Sequence, residues 1–380
     1  MNKIIYLDNA STTKVDPIVL DVFNKTNESY FANPSSIHAL GQESSYLLAK
    51  SKEDILRLFN LKEHQVIYTS GATEANNLAI KGACLRYKNR GNHIITSAYE
   101  HPSVLEAFRQ LEKEFGFEVT CLLPNAEGKI TPEMVKSAIK KETIFVSIMA
   151  VNNEIGVINP IEEIAEVLKE YPKVIFHSDL SQLVGKTNKS INFIKIDMFT
   201  LSAHKMHGLI GSGALIKRNK IELLPLASGG GQEYNYRSGT NDLASALAFN
   251  KTIELALANQ VSRYNHVKEL ADLILDYLKS HQDLYELNSF EPVNPYIINF
   301  STITKKSSVV VEALSNSGIM VSSVSACHSS KEKGSYVVKS LGKSDSISRN
   351  TIRVSLDYSN TKEEIETFLS KLDKIIKEIR

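Results

Sequence analysis

The sequence predicts an α/β protein, with a large domain built on a mostly parallel sheet and a smaller α+β domain toward the C-terminus. Three observations carry this. From about residue 60 to 220, short apolar runs rich in branched side chains alternate with helical periods, as expected of strands buried on both faces beneath helices. After about residue 255 the texture changes to long amphipathic stripes separated by short strand candidates. With 380 residues, 42% of them apolar, and only 18 Gly and 10 Pro, the chain is globular and long enough to bury more than one core.

In chain order, the buried strand candidates are 66–69, 93–96, 119–123, 144–148, 174–177 and 198–201. Thr131-Pro132 and Asn159-Pro160 each place a capping side chain before a proline suited to a first helical turn, which predicts helix starts there. In the C-terminal part, Val267, Leu270, Ala271, Ile274 and Leu278 share one helical stripe. Ile365, Phe368, Leu369, Leu372, Ile375, Ile376 and Ile379 form another, opened by a Thr361/Glu364 capping box. Residues 296–300 and 352–355 read as short strands. Residues 309–311 fit either a strand or the first turns of a helix capped by Ser307 or Ser308.

The charge balance is 44 Lys+Arg against 43 Asp+Glu, a formal +1, so no global field draws nucleic acid or an acidic membrane to this chain. Cys84, Cys121 and Cys327 are odd in number and never in C-x-x-C pairs, which argues against a disulfide framework and a cysteine metal site. Asp8 and Asn9 interrupt the N-terminal apolar run, and no run approaches the roughly 18 apolar residues of a membrane span. A cytoplasmic protein without membrane or metal is the expectation. Cys84 and Cys121 read as core residues.

Ligands in α/β domains bind beyond the carboxyl ends of the strands. After 66–69 comes Ser70-Gly71-Ala72-Thr73-Glu74-Ala75-Asn76, a Gly-containing turn into a helix and a candidate phosphate cradle; an ordinary helix start is the plainer alternative. G-x-G-x-x-G and G-x-x-x-x-G-K-[ST] are both absent, against dinucleotide and P-loop readings. After 174–177 comes Asp179, a strand-end carboxylate that needs a positive partner or serves as a helix cap. After 198–201 comes Ser202-Ala203-His204-Lys205, whose lysine would be poorly solvated, as a covalent-catalysis amine requires. Cradle, aspartate and lysine in this order match the phosphate, ring nitrogen and aldehyde of pyridoxal phosphate (PLP).

At this point the sequence resembles the cysteine desulfurases of the NifS/IscS type, within the class V aminotransferase-like enzymes of PLP fold type I. The blocks that carry the resemblance span nearly the whole chain: 6–13, 33–36, 69–80, Glu100-His101, 151–156, 202–205, 236–240 and Ser325-Ala326-Cys327. It implies a large PLP-binding domain over 15–258 and a small domain made of 1–14 with 259–380. Lys205 would link covalently to PLP and move the substrate Cα proton, Asp179 would pair with the ring nitrogen, and His101 would stack on the ring and handle the substrate thiol's proton. Ala72, Thr73, Ser202 and His204 would bind the phosphate, with Thr240 reaching it from the other subunit of a homodimer. Asn152 and Gln182 would lie near the phenolic oxygen. Asn33 and Arg353 would hold the carboxylate of L-cysteine.

Plainer roles stand beside these. His101 precedes Pro102 and suits a helix entry, Asn33-Pro34-Ser35-Ser36 is a good turn, and Arg353 in an apolar strand could face a protein carboxylate. Cys327 lies in a stretch that turns polar and charged on its C-terminal side; the resemblance makes it the thiolate that takes the substrate sulfur as a persulfide and passes it to an acceptor protein, leaving L-alanine. Two departures stand out: Val324 occupies a position where the family usually has Gly, and the chain ends soon after its last amphipathic stripe, without the further segment of iron–sulfur-assembly members. The latter favours delivery to tRNA thiolation, through a partner, over cluster assembly. Alternatives are a selenocysteine lyase, a class V aminotransferase or an idle PLP-fold partner protein.

Overall fold

The apolar runs of residues 60 to 220 become one seven-stranded sheet. In the computed structural model the described residues are 4–323 and 334–378. The strands are β1 (Ile5–Tyr6), β2 (His64–Thr69), β3 (His93–Ser97), β4 (Glu118–Leu122), β5 (Thr143–Ser147), β6 (Ile175–Asp179), β7 (Met198–Ser202), β8 (Gly213–Arg218), β9 (Tyr285–Leu287), β10 (Ile297–Thr302), β11 (Ile319–Met320) and β12 (Thr351–Ser355). The helices are α1 (Pro17–Ser29), α2 (Ala39–Leu58), α3 (Ala72–Arg86), α4 (Pro102–Phe115), α5 (Pro132–Ala138), α6 (Ile161–Leu168), α7 (Leu243–Ala258), α8 (Gln260–Ser280), α9 (Ser307–Asn316), α10 (Tyr336–Ser340), α11 (Asp345–Arg349) and α12 (Lys362–Glu378).

The large sheet has the order β2-β8-β7-β6-β5-β3-β4. All six expected strands are in it. β8, which the sequence reading did not single out, runs antiparallel between β2 and β7. β3, β5, β6 and β7 expose no side chain, because helices cover both faces. One apolar cluster holds α3 and α4 on one face, through Leu78, Ile80, Val104 and Phe108. The other face joins a core that continues into the C-terminal elements through Ile274, Ile298, Val354 and Phe368. Each fully buried aliphatic side chain contributes about 1.5–3 kcal/mol, so these cores fix where the strand ends stand.

The smaller elements form an antiparallel sheet of order β12-β10-β9, and β1 pairs in parallel with β11. The stripe on α8 is buried as its spacing requires. On α12, Ile365, Phe368, Leu372 and Ile376 are buried and Leu369 and Ile375 partly so, while Ile379 lies outside the described residues. The Thr361/Glu364 box closes reciprocally, with both bonds at 3.3 Å. Thr131 caps α5 through Met134 N–H, with Pro132 at its first position.

Three expectations need correction. Asn159 does not cap α6; its side chain is buried and bonds Tyr99 OH, Ile130 N–H and Met149 C=O at 2.8–2.9 Å, satisfying three groups that would otherwise be orphaned. Residues 309–311 are helical, within α9, whose N-cap is Lys306; Ser307 Oγ instead donates to the Arg349 carbonyl. Cys84 is buried, but Cys121 is exposed, because β4 is the sheet edge and offers less cover than an interior strand. The mostly parallel sheet expected is present, with β8 as its antiparallel member. Among the described residues no helix is long and apolar enough to cross a membrane.

Candidate active site

β6 and β7 end side by side in the middle of the large sheet, with Asp179 paired to Thr200 across a parallel ladder. Asp179 closes β6, Ser202 closes β7, and Lys205 ends the single 3-10 turn Ala203–Lys205 that leaves it. Asp179 is buried. Burial alone would raise its pKa, but the Ser181 N–H at 2.9 Å, the Lys205 charge and the Asn76 amide at 2.8 Å outweigh it, and the carboxyl stays below its usual range. It is therefore an anion held ready for a cationic partner.

Asn76 extends this into a network. One amide hydrogen goes to Asp179 Oδ2 and the other to Ser103 Oγ at 2.9 Å. Ser103 Oγ lies 2.8 Å from His101 Nδ1, and the Ser103 backbone N–H donates to the same nitrogen at 3.2 Å. Nδ1 is thus the acceptor, which leaves the ring hydrogen on Nε2. His101 is also the N-cap of α4, so the helix-entry role and the candidate catalytic role belong to one geometry. The sequence reading gave no role to Asn76 or Ser103. The available signal was an asparagine one turn into a helix whose other buried positions are Ala, Leu, Ile, Gly and Cys.

The cradle is real in outline. α3 starts at Gly71, with φ +143° and no side-chain cap, so its first N–H groups have no capping side chain. Gly213, which pairs with Ser202, comes so close that a Cβ there would lie 2.7 Å from Gly71 Cα. This contact brings Ser202 beside the α3 N-terminus. Ser202 Oγ is buried and has no partner among the described residues. Burial, with the Lys205 and Lys186 charges, brings the His204 pKa down to about 4, so its ring is neutral at pH 7. An uncapped helix N-terminus, an orphaned hydroxyl and a strand-end carboxylate beside a lysine are the donor set that PLP needs for its phosphate, ring nitrogen and aldehyde. The residues present fit that cofactor.

The other candidates are placed less uniformly. Gln182 is buried; its Nε2 donates to the Ala10 carbonyl and its Oε1 accepts from Lys186 Nζ, both at 3.0 Å. Asn152 spends its amide on the protein, donating to Tyr99 C=O and accepting from Glu154 and Ile155 N–H. Arg353 is 6% exposed and already faces a protein carboxylate: Nη2 donates to Asp8 at 2.9 Å and to Ser11 at 2.6 Å, and Nη1 to the Asn153 carbonyl. Its Nε is buried without a partner among the described residues. Asn33 and Thr240 are on the surface, and Asn33 Oδ1 accepts from Ser35 N–H, the turn role its sequence allows. Cys327 and Val324 lie outside the described residues.

Two further carboxyls surround the site. Burial pushes Glu100, next to His101, up to about 8, and Glu154 up to about 7. Glu100 Oε1 accepts from Ser97 Oγ and Met149 N–H, while its Oε2 has no partner among the described residues. Tyr336 OH donates to the Glu100 carbonyl and Ser335 Oγ to the Glu154 carboxyl, tying α10 to the segment that bears His101.

The chain is 37% identical, over all of its length and 96% of the relative's, to a protein named cysteine desulfurase IscS from Dictyoglomus turgidum. Among solved structures, a NifS-like protein superposes with a TM-score of 0.91 at 29% identity, covering 99% of this chain and all of that one. A structure described as SspA in complex with cysteine gives a TM-score of 0.81 at 31% identity, covering 94% of this chain and all of that one. Residues 5–368 match the aminotransferase class-V family, whose cofactor is PLP, and the chain belongs to that family.

Proposed function

We propose that the protein is a cysteine desulfurase, converting L-cysteine to L-alanine and passing the sulfur, as a persulfide on Cys327, to an acceptor protein. The observation that carries this reading is the linkage of Lys205, Asp179 and the His101 network through the buried Asn76 of α3, whose N-terminus has no side-chain cap. The likeness to proteins named cysteine desulfurase supports the choice of substrate.

Ala72, Thr73, Ser202 and His204 would hold the phosphate of PLP, with the partner subunit's Thr240; Asp179 would hold the ring nitrogen, and Gln182 and Asn152 would lie on the phenolic side. When bound, PLP supplies the electron sink that acidifies the substrate's Cα–H bond. Lys205 takes that proton, its amine standing one short turn beyond β7. His101, with Nδ1 accepting from Ser103, works through Nε2 on the substrate thiol's proton. The Cys327 thiolate forms an S–S bond as the substrate's C–S bond breaks; the electron pair stays with carbon, Cβ takes up the thiol's proton, Lys205 returns the Cα proton, and L-alanine leaves. Arg353 and Asn33 hold the substrate carboxylate, and Asp8 shares the guanidinium, so substrate binding repartners an ion pair already in place.

Phe31, Ile37 and Ile210 are 78%, 92% and 77% exposed, and Gly211 lines a cleft of about 130 Å³ with Ser70 and Arg237. Such apolar exposure supports a homodimer. A persulfide-carrying thiol needs a reducing compartment, here the cytoplasm. The test is Cys327→Ala with PLP bound. It is expected to keep the cofactor absorbance and to lose sulfur transfer to an acceptor thiol; normal transfer would remove Cys327 from its role. Selenocysteine turnover without cysteine turnover would favour the lyase reading.

A further inference from the structure

The proposed roles leave Lys186, buried near Lys205, without a task. Lys186 is 7% exposed and follows β6 by seven positions. Its ammonium donates to Gln182 Oε1 at 3.0 Å, an amide oxygen and not a carboxylate. Lys205 on the turn after β7 and Arg353 on β12 repel it, Asp357 attracts it, and the Tyr296 ring centroid lies 5.9 Å away. A cavity of about 20 Å³ opens between Lys186, Lys205, His207, Tyr296 and Asp357. Desolvating an ammonium among like charges is costly, so the amide it bonds is the natural place to look for its use.

A lysine ammonium offers only donors, and in its hydrogen bond to Gln182 Oε1 the neutral amine would donate as well, whereas a carboxamide has an oxygen on one side and an NH2 on the other. Bonding to Lys186 turns the oxygen of Gln182 toward the lysine and its NH2 away. One of those hydrogens is taken by the Ala10 carbonyl at 3.0 Å, and the second remains for the site. We propose that Lys186 is a positioning residue that locks the Gln182 amide with its NH2 toward the phenolic oxygen of the cofactor. This rests on the reading of Gln182 as a contact to that oxygen. Burial, with the Lys205 charge beside it, brings the Lys186 pKa down to about 7, which agrees with a close packing of the two lysines.

The test uses the PLP-loaded protein and reads the pH midpoint of the bound cofactor's absorbance. Lys186→Met keeps the volume and removes a desolvated charge, so it is expected to fold, as apo-protein melting will verify. A donor aimed at the phenolic oxygen favours its deprotonated form, so losing that donor raises the midpoint. The expected shift is about one pH unit upward, tenfold in proton affinity. Lys186→Gln, which offers an acceptor as well as donors, gives a shift of the same sign, and Lys186→Arg, again donor-only, restores the midpoint. Gln182→Leu raises the midpoint too, and Lys186→Met adds nothing in that background. An unshifted midpoint in Lys186→Met with a shifted one in Gln182→Leu overturns the inference alone. An unshifted Gln182→Leu overturns the reading beneath it. An equal Lys186→Met shift in both backgrounds means that the lysine acts by its charge and not through Gln182, and also overturns the inference.

Discussion

Two buried polar regions flank the same sheet and are built to opposite rules. Around Glu233 every oxygen is spent: Oε2 accepts from Lys52 Nζ at 2.8 Å and Tyr68 N–H at 2.9 Å, and Oε1 from Asn241 at 2.6 Å. This pair pins a turn in which Glu233, Tyr234 and Asn235 all have positive φ, 48°, 59° and 67°, with Lys52 4.5 Å from the Tyr234 ring centroid. Around Asp179 and Lys205, in contrast, Ser202 Oγ, Asn76 Oδ1, Glu100 Oε2 and Arg353 Nε are buried with no partner among the described residues. A satisfied network holds shape, while an unsatisfied one beside a crevice holds capacity for a ligand.

The sharpest break of this contrast is Lys205→Ala. It would remove the proposed cofactor link and the proposed Cα base together, and turnover should fall by roughly ten-thousandfold or more with the melting temperature of the apo-protein little changed. Glu233→Ala should do the reverse. It strands Lys52, whose side chain is only 11% exposed, and should cost about 3–5 kcal/mol in denaturant titration, while the cofactor absorbance per folded molecule persists.

Glu100 gives a pH signature. Burial raises its pKa from 4.5 to about 8, against the lowering effect of the Ser97 and Met149 bonds. The fold therefore prefers the protonated form; that contribution is complete below the unfolded pKa and is lost as pH rises through about 8. Apo-protein stability should fall between about pH 5 and 8 by an amount on the order of a few kcal/mol, and Glu100→Gln should flatten the profile. Ser103→Ala, which frees His101 Nδ1 from one donor and Asn76 from one acceptor, should lower kcat by roughly tenfold, with KM for cysteine nearly constant. Cys121→Ser, at the exposed edge strand, should leave activity intact and stability within about 0.5 kcal/mol.

The same contrast explains what could be read from the sequence. Strand runs and amphipathic stripes were legible because each repeats one physical constraint over many residues, as with Val267 to Leu278 on α8. Lys205, Asp179 and the Gly71 turn were legible because strand ends carry them at fixed order. What escaped were tertiary partnerships. Asn159 looked like a cap until Tyr99, Ile130 and Met149 claimed its amide. Cys121 looked buried because a strand does not announce that it is an edge. Asn76, Ser103 and Lys186 drew no notice because their meaning lies in side chains 27 or 103 positions away, or in the orientation of one amide.

The central claim meets its most direct test in a single turnover without acceptor or reductant. PLP-loaded protein is given L-cysteine, alanine is counted, and the peptide containing Cys327 is weighed by mass spectrometry. The account predicts alanine in step with the addition of one sulfur atom to Cys327. No alanine, or alanine with its sulfur absent from Cys327, would contradict it.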